Sequence, residues 1–169
     1  MDLKATLYLL TGPIGAGKTT FCRQLAESAR SRGWQVAGLL SPAWIEADQK
    51  TGILLEDLES GEQRRLAFST PSPQSDLRVG KWYFDTQVLA WGQQILSNCP
   101  ACDLLIVDEL GPLEFNNGQG LSAAFELLSA GQYRVGYVVI RPTLIENACK
   151  RWPWAEVLPV AQASLRRLG

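Results

Sequence analysis

The segment "GPIGAGKT", Gly12 to Thr19, constrains the fold of this chain more than any other stretch. It matches the phosphate-binding pattern G-x-x-x-x-G-K-[ST] at every fixed position. The apolar run before it predicts a strand from Thr6 to Leu10, and the periodicity after it predicts a helix from about Gly17 to Arg32. The pattern requires this context of strand, turn and helix, so the segment predicts an α/β protein that binds a nucleotide.

Each part of the predicted phosphate loop has a physical role. Glycines let the backbone approach phosphate oxygens, and the free N–H groups at the start of the helix point at the anion. Lys18 is predicted to neutralise the β and γ oxygens of a nucleoside triphosphate, and Thr19 to offer its hydroxyl to Mg²⁺. The alternative is a chance glycine-rich turn. The predicted nucleotide-binding residues are Gly12, Pro13, Ile14, Gly15, Ala16, Gly17, Lys18, Thr19 and Thr20.

A second informative segment is "LLIVDELGPLEF", residues 104 to 115. Its unbroken apolar run predicts a strand from Leu104 to Val107 that is buried on both faces, as central strands of parallel sheets are. Open α/β sheets bind ligands at the carboxyl ends of such strands. Asp108 is therefore predicted to hold Mg²⁺, usually through water. The alternatives for Asp108 are helix capping and a surface ion pair.

Two further charged residues lie at the carboxyl ends of predicted strands, and therefore on the same side of the sheet as Asp108. Glu109 is predicted to orient and deprotonate a water that attacks the γ-phosphate, although successive strand residues point to opposite faces. Arg141 ends the apolar run "YVVI" and is predicted to stabilise charge on the transferred phosphoryl group. The alternatives are a plain acid and a surface arginine at strand ends. The predicted catalytic residues are thus Lys18, Glu109 and Arg141.

The composition restricts both the class of protein and the groups that could catalyse a reaction. The chain has 169 residues, of which 46% are apolar and 20% charged, which predicts a single domain over residues 1–169. With 16 basic and 17 acidic residues, the protein has no strong net charge that would attract it to nucleic acid or to an anionic membrane. No protein partner is evident from the sequence. Histidine is absent, which excludes Ser–His and Cys–His nucleophilic pairs. The sequence has no signal-peptide pattern and no apolar stretch near the roughly 20 residues of a membrane span, so we expect a cytoplasmic protein.

The rest of the chain predicts alternating strands and helices. Two turn signals within residues 41–70 predict an antiparallel hairpin extension. The other predicted strands cover residues 34–40, 81–84, 133–140 and 156–158, and the other predicted helices cover residues 85–98, 121–129 and 143–151. Strands that alternate with helices predict a three-layer α/β fold around a mostly parallel central sheet.

Five segments together resemble a known family. "TGPIGAGKTT", "VAGLLSPAW", "RVGKWYF", "LLIVDELGPLEF" and "VVIRPTL" occur in the order found in the nucleoside-triphosphatases first described from thermophiles, which include a cancer-related human member. The resemblance covers most of the chain, to about residue 150. It implies a RecA-like P-loop fold and Mg²⁺-dependent hydrolysis of nucleoside triphosphates with broad base tolerance. It also implies that Lys18 and Thr19 bind phosphate and metal, Asp108 the metal and Glu109 the water, and that Glu114 supports the site.

Two other function classes stay open on the sequence alone. A small-molecule kinase would use the same phosphate loop, but it needs an acceptor pocket and a mobile lid that carries arginines. Residues 59 to 78, with Arg64 and Arg65, are the only candidate for that lid. A nucleotide-dependent switch protein would bind the same ligand and turn it over slowly until a partner arrived.

Overall fold

A computed structural model of the protein describes residues 4–168. The strands in this range are β1 (Thr6–Thr11), β2 (Val36–Leu40), β3 (Ala43–Glu46), β4 (Gln49–Asp57), β5 (Gln63–Phe68), β6 (Leu77–Val79), β7 (Trp82–Phe84), β8 (Cys102–Leu110), β9 (Tyr133–Ile140) and β10 (Glu156–Pro159). The α-helices are α1 (Lys18–Ser31), α2 (Thr86–Ser97), α3 (Pro112–Asn117), α4 (Ala123–Ala130) and α5 (Ile145–Arg151). Short 3₁₀ helices cover Pro142–Leu144, Val160–Gln162 and Leu165–Leu168.

The strands of residues 4–168 form a single sheet with two different halves. One half has the order β10-β1-β9-β8-β2, and its neighbouring strands are parallel. The other half continues through β4, β5, β7 and β6, with β3 paired to β4, and all its pairings are antiparallel. The predicted mixed α/β fold is confirmed. The prediction of a mostly parallel sheet is only partly correct, because the antiparallel region is larger than the predicted hairpin and makes up half of the sheet.

Helices cover both faces of the parallel half and create two apolar layers. On one face, α1 packs Phe21, Cys22 and Leu25 against the sheet. On the other face, α2, α4 and the end of α5 contribute to a second cluster, in which the fully buried Trp152 lies against Phe125. Burial of this much apolar surface is the main force that holds the layers together. No helix in the described part of the chain has the length and apolar character needed to cross a membrane.

One glycine sets the distance between two strands that matter for the site. Gly38 in β2 has φ +109°, and a Cβ built on it would lie 1.9 Å from the carbonyl oxygen of Ile106 in β8. A side chain cannot fit there, so only glycine permits this approach. The parallel register then pairs Leu39 with Val107. As a result, the residue that follows β2, Ser41, lies beside Asp108.

The boundaries of the predicted elements are confirmed for most helices and strands, with instructive exceptions. The strand predicted from Leu104 to Val107 continues to Leu110, so Asp108 and Glu109 lie within β8 and not after it. Helix α3 and strand β6 were not predicted. The "GP" dipeptide at Gly111 is typical of a turn, whereas here Pro112 occupies the first position of α3, where its missing N–H costs nothing.

Candidate active site

The predicted phosphate loop joins β1 to α1 and has the backbone that its glycines allow. Gly15 and Gly17 have φ angles of 78° and 88°, in the left-handed region, and Gly17 precedes the first turn of α1. The Lys18 ammonium donates hydrogen bonds to the carbonyl oxygens of Gly12 at 2.7 Å and Pro13 at 2.9 Å. The positive charge of Lys18 is therefore held against the loop itself.

Thr19 and Asp108, the two predicted metal ligands, are in direct contact. The Thr19 hydroxyl donates a hydrogen bond to Asp108 Oδ2 at 2.9 Å. The Ser41 amide donates to the same oxygen at 3.1 Å, and the Ser41 hydroxyl donates to the Asp108 carbonyl oxygen. Sequence reasoning missed Ser41. The available signal was a polar residue directly after a buried strand, the same signal that selected Asp108.

Asp108 is only 2% exposed, and its surroundings act on it in opposite directions. Burial raises the pKa of its carboxyl to about 6, while hydrogen bonds from Ser41 and Thr19 and the charge of Lys18 act to lower it. Glu109 also raises this pKa, because two neighbouring carboxylates repel each other. A buried acid of this kind is stabilised in its charged form by a nearby cation.

Glu109 and Arg141 form an ion pair at the same edge of the sheet. Arg141 Nε donates a hydrogen bond to Glu109 Oε1 at 2.9 Å, and both side chains are partly exposed. The register of β8 against β9 shifts between Val107 and Leu110, so strict alternation of side chains does not apply at the two acids. Asp108 and Glu109 accordingly line one common cavity.

Glu114 stabilises the segment that follows the two acids. Its buried carboxylate accepts hydrogen bonds from the amides of Gly111 at 2.8 Å and Leu121 at 3.0 Å. The first of these bonds caps α3 at its N-terminus, where a carboxylate also interacts favourably with the helix dipole. Burial raises the pKa of Glu114. Both of these hydrogen bonds are with the backbone, so Glu114 supports the structure of this segment.

The two arginines suggested for a kinase lid lie on β5 and have other partners. Arg64 pairs with Glu62 at 2.9 Å, and its guanidinium lies 4.3 Å from the ring centre of Trp91. Arg65 lies 4.3 Å from the ring centre of Phe68. In this structure both arginines therefore pack along the antiparallel half of the sheet.

A cavity of about 150 Å³ adjoins the two acids. Its polar end is formed by Thr19, Ser41, Asp108, Glu109 and Arg141. Its other walls are mainly apolar and include Ile53, Leu66, Phe84 and Leu89 from β4, β5, β7 and α2 respectively. The remaining lining residues are Lys50, Val79, Gly111, Pro112, Leu113, Glu114 and Leu121. Sequence reasoning missed this cavity because its walls come from elements that are distant along the chain.

Comparisons with known proteins agree with these features. The model of a protein family described as NTPase matches residues 7–151. A nucleoside-triphosphatase THEP1 from Ignicoccus hospitalis is 34% identical over 106 residues, which are 62% of this chain and 58% of that protein. A THEP1 nucleoside-triphosphatase from Thermofilum pendens is 32% identical over 130 residues, 76% of this chain and 70% of that protein. The match thus spans less than two thirds of the Ignicoccus protein.

Two solved structures share the fold. The solution structure of a human cancer-related nucleoside triphosphatase superposes with a TM-score of 0.70, at 23% identity, over 97% of this chain and 93% of that chain. The crystal structure of THEP1 from the hyperthermophile Aquifex aeolicus superposes with a TM-score of 0.60, at 17% identity, over 92% of this chain and 89% of that chain. At these identities the likeness concerns the fold alone.

Proposed function

The chain belongs to the nucleoside-triphosphatase family, and we propose that it hydrolyses nucleoside triphosphates to the diphosphate and inorganic phosphate. The family match over residues 7–151 confirms the resemblance that the sequence motifs predict. The observation that carries the proposal is the hydrogen bond from Thr19 to Asp108, beside the Lys18 ammonium. It joins the phosphate loop to a buried acid, the combination that phosphoryl transfer requires.

The triphosphate would bind over residues 12–20. Lys18 now donates to two backbone carbonyl oxygens, which are neutral acceptors. A phosphate oxygen carries charge and makes a stronger hydrogen bond to an ammonium, so the β and γ oxygens would compete well for the same donor. The free amides at the start of α1 would add further donors. The proposed hydrogen bonds from Lys18 to these oxygens would therefore become stronger as negative charge develops during the reaction.

Mg²⁺ fits the donors at this site. The Thr19 hydroxyl and the Asp108 carboxylate are hard oxygen ligands, which Mg²⁺ prefers, and it is usually held by one or two such groups together with substrate phosphates. These two residues would hold the ion, and when bound it would neutralise charge on the phosphate oxygens. Ser41 would keep Asp108 in place through its amide and hydroxyl.

Glu109 is the proposed base for the attacking water. Its partly exposed carboxylate can accept a proton from a water that faces the γ-phosphorus, and the oxygen of that water then forms the new P–O bond. The bond from the γ-phosphorus to the bridging oxygen breaks, and its electron pair leaves with the diphosphate. Arg141 would orient the carboxylate through Nε, and its other guanidinium nitrogens would be available to donate to the developing charge.

The proposal also includes the fold type, the domain extent, the range of nucleotides, the location and the partners. We infer a RecA-like, three-layer P-loop fold, which the strand–loop–helix context and the likeness to the two solved structures support. A single domain over residues 1–169, broad base tolerance and a cytoplasmic location stay predictions. The absence of nucleic-acid, membrane and protein partners is a prediction as well.

Phosphate release from ATP, GTP, CTP and UTP tests the proposed function. We expect release from all four nucleotides with rates within about tenfold of one another, because the proposed contacts are to phosphates and not to the base. Release should require Mg²⁺ and stop on chelation. A switch protein would instead bind the nucleotide with little release. No release under any of these conditions would contradict the proposal.

Arg141→Ala tests the proposed orientation of Glu109. Loss of the Nε donor should lower kcat about tenfold or more with little change in KM, because the base is no longer held in one geometry. Arg134→Ala in the same strand is the matched control, since Arg134 is exposed and lies over Trp34. A loss near roughly 10³-fold would indicate direct contact with the phosphoryl group. Unchanged kcat would make Arg141 a surface arginine.

A further inference from the structure

The cavity beside Glu109 has more apolar wall than a site for water alone needs. Water requires polar partners, and a small cavity with apolar walls favours an apolar occupant. Here Asp108 is hydrogen-bonded to Thr19, and the adjacent Glu109 to Arg141, so these polar groups lie together, while Leu66 and Phe84 belong to the apolar walls. The cavity is thus divided between a reactive end and a hydrophobic body.

The size of the cavity limits its occupant. Its volume is about 150 Å³. An apolar protein cavity of about this volume accommodates a benzene molecule. A ligand whose apolar part is one small ring or a short branched chain therefore fits between β5, β7 and α2.

The walls also restrict the charge of the occupant. A charged group among Ile53, Leu66 and Leu89 would lose its hydration, which is costly. The two cations that line the cavity are already engaged, because Lys50 lies 5.4 Å from the ring centre of Trp82 and Arg141 pairs with Glu109. A carboxylate at the polar end would be repelled by Asp108 and Glu109. A neutral hydroxyl suits that end, because its oxygen is a nucleophile and its proton can pass to the Glu109 carboxylate.

We propose that this cavity binds small, uncharged apolar alcohols, and that the enzyme transfers the γ-phosphoryl group to them as well as to water. The proposal rests on the proposed triphosphatase function. The hydroxyl oxygen forms a bond to the γ-phosphorus, and the bond to the bridging oxygen breaks, with its electron pair leaving on the diphosphate. The hydroxyl proton goes to Glu109. The products are a nucleoside diphosphate and a phosphate monoester of the alcohol.

Two features of the site favour transfer once an alcohol is seated. An acceptor held next to the phosphoryl group reacts as part of the complex, which gives it an advantage over water that diffuses in. The seated body also covers the apolar walls and displaces water from the region beside Glu109. The acceptor would be held by the apolar residues that already line the cavity, so the proposal does not need arginines of a mobile lid.

Benzyl alcohol is a suitable probe, since its ring matches the cavity and its hydroxyl extends beyond the ring. The intact enzyme is incubated with Mg-ATP and millimolar benzyl alcohol, and phosphate and benzyl phosphate are quantified by ³¹P NMR. Glycerol at the same concentration is the polar control. We expect about tenfold more ester from benzyl alcohol than from glycerol, because only the ring gains contacts in the apolar cavity.

Substitution of a wall residue tests the location. Val79 lines the cavity from β6 and makes none of the proposed contacts with the triphosphate or Mg²⁺. Val79→Phe should reduce benzyl phosphate formation about tenfold by occupying the space, while phosphate release without alcohol is retained. Val157→Phe, on the partly exposed β10, is the matched control and should leave ester formation unchanged. Val79→Ala should retain ester formation, which distinguishes filling of the cavity from damage to the fold.

The outcomes separate this proposal from the triphosphatase function on which it rests. Absence of phosphate release from Mg-ATP contradicts the function itself. Normal phosphate release with no more ester from benzyl alcohol than from glycerol overturns the transfer proposal alone. Inhibition of phosphate release by benzyl alcohol without ester also overturns it, and equal ester formation by Val79→Phe and the parent enzyme overturns the location.

Discussion

Lys18→Ala should reduce kcat/KM for triphosphate hydrolysis by about 10³-fold or more, because the charge that develops on the γ-phosphoryl oxygens loses its ammonium partner. Lys18 lies in the predicted phosphate loop, where its ammonium donates hydrogen bonds to the carbonyl oxygens of Gly12 and Pro13. Alanine removes both bonds as well as the charge. The initial rate of phosphate release, measured over a range of nucleotide concentrations, gives the effect on kcat and KM separately.

The control for this change is Lys81→Ala. Lys81 is exposed in the turn between β6 and β7 and lies over the ring of Trp82, far from the phosphate loop in sequence. Removal of its charge should leave kcat/KM within about twofold of the parent, since an exposed charge contributes little. Far-ultraviolet circular dichroism shows whether the Lys18 variant keeps its fold. Near-parent turnover by a folded Lys18→Ala protein would disprove the assignment of the phosphate site.

Glu109→Gln should lower kcat by about 10²-fold while nucleotide binding is retained, because an amide has nearly the shape of the carboxylate but cannot take a proton. The amide oxygen can still accept the hydrogen bond from Arg141 Nε, so the position of the side chain is preserved. Removal of the charge also relieves repulsion on Asp108. Affinity for Mg-nucleotide should therefore be similar to or higher than that of the parent.

Single-turnover kinetics and equilibrium binding separate the two effects. The step that should slow is cleavage within the bound complex, and the dissociation constant of a nonhydrolysable triphosphate should change by no more than about threefold. Glu146→Gln, at an exposed position in the first turn of α5, makes the same chemical change away from the site. If Glu109→Gln cleaves as fast as Glu146→Gln, then Glu109 is only an acid at the end of a strand.

The parts of this protein that its sequence predicts are those that depend on local interactions. The phosphate loop needs glycines, a lysine and a hydroxyl at fixed spacing between a strand and a helix, and all of this lies within residues 6–32. The apolar run before Asp108 likewise predicts a buried strand, and burial places that acid at the sheet edge. The phosphate loop has the predicted structure, and the strand forms as predicted but continues to Leu110, so local pattern predicts its core and not its end.

The features that the sequence does not predict depend on pairing between distant segments. Contact of Ser41 with Asp108 requires β2 to lie against β8, which Gly38 permits by its close approach to Ile106. The antiparallel half of the sheet arises from pairings of β4 to β7, and short runs such as "LRV" in β6 have too few residues for a pattern. The ion pair of Glu109 with Arg141 joins residues from two strands, and only the register of β8 against β9 brings them together.

The junction between the two halves of the sheet has a consequence for redesign of the cavity. Strand β2 pairs with β4 through only two positions, Leu39 with Asp57 and Leu40 with Glu56. The phosphate loop, α1 and both acids come from one half, while Ile53, Leu66 and Phe84 in the apolar wall of the cavity come from the other. Substitutions within residues 43–84 should therefore reshape the apolar wall of the cavity and leave the backbone of the phosphate loop in place.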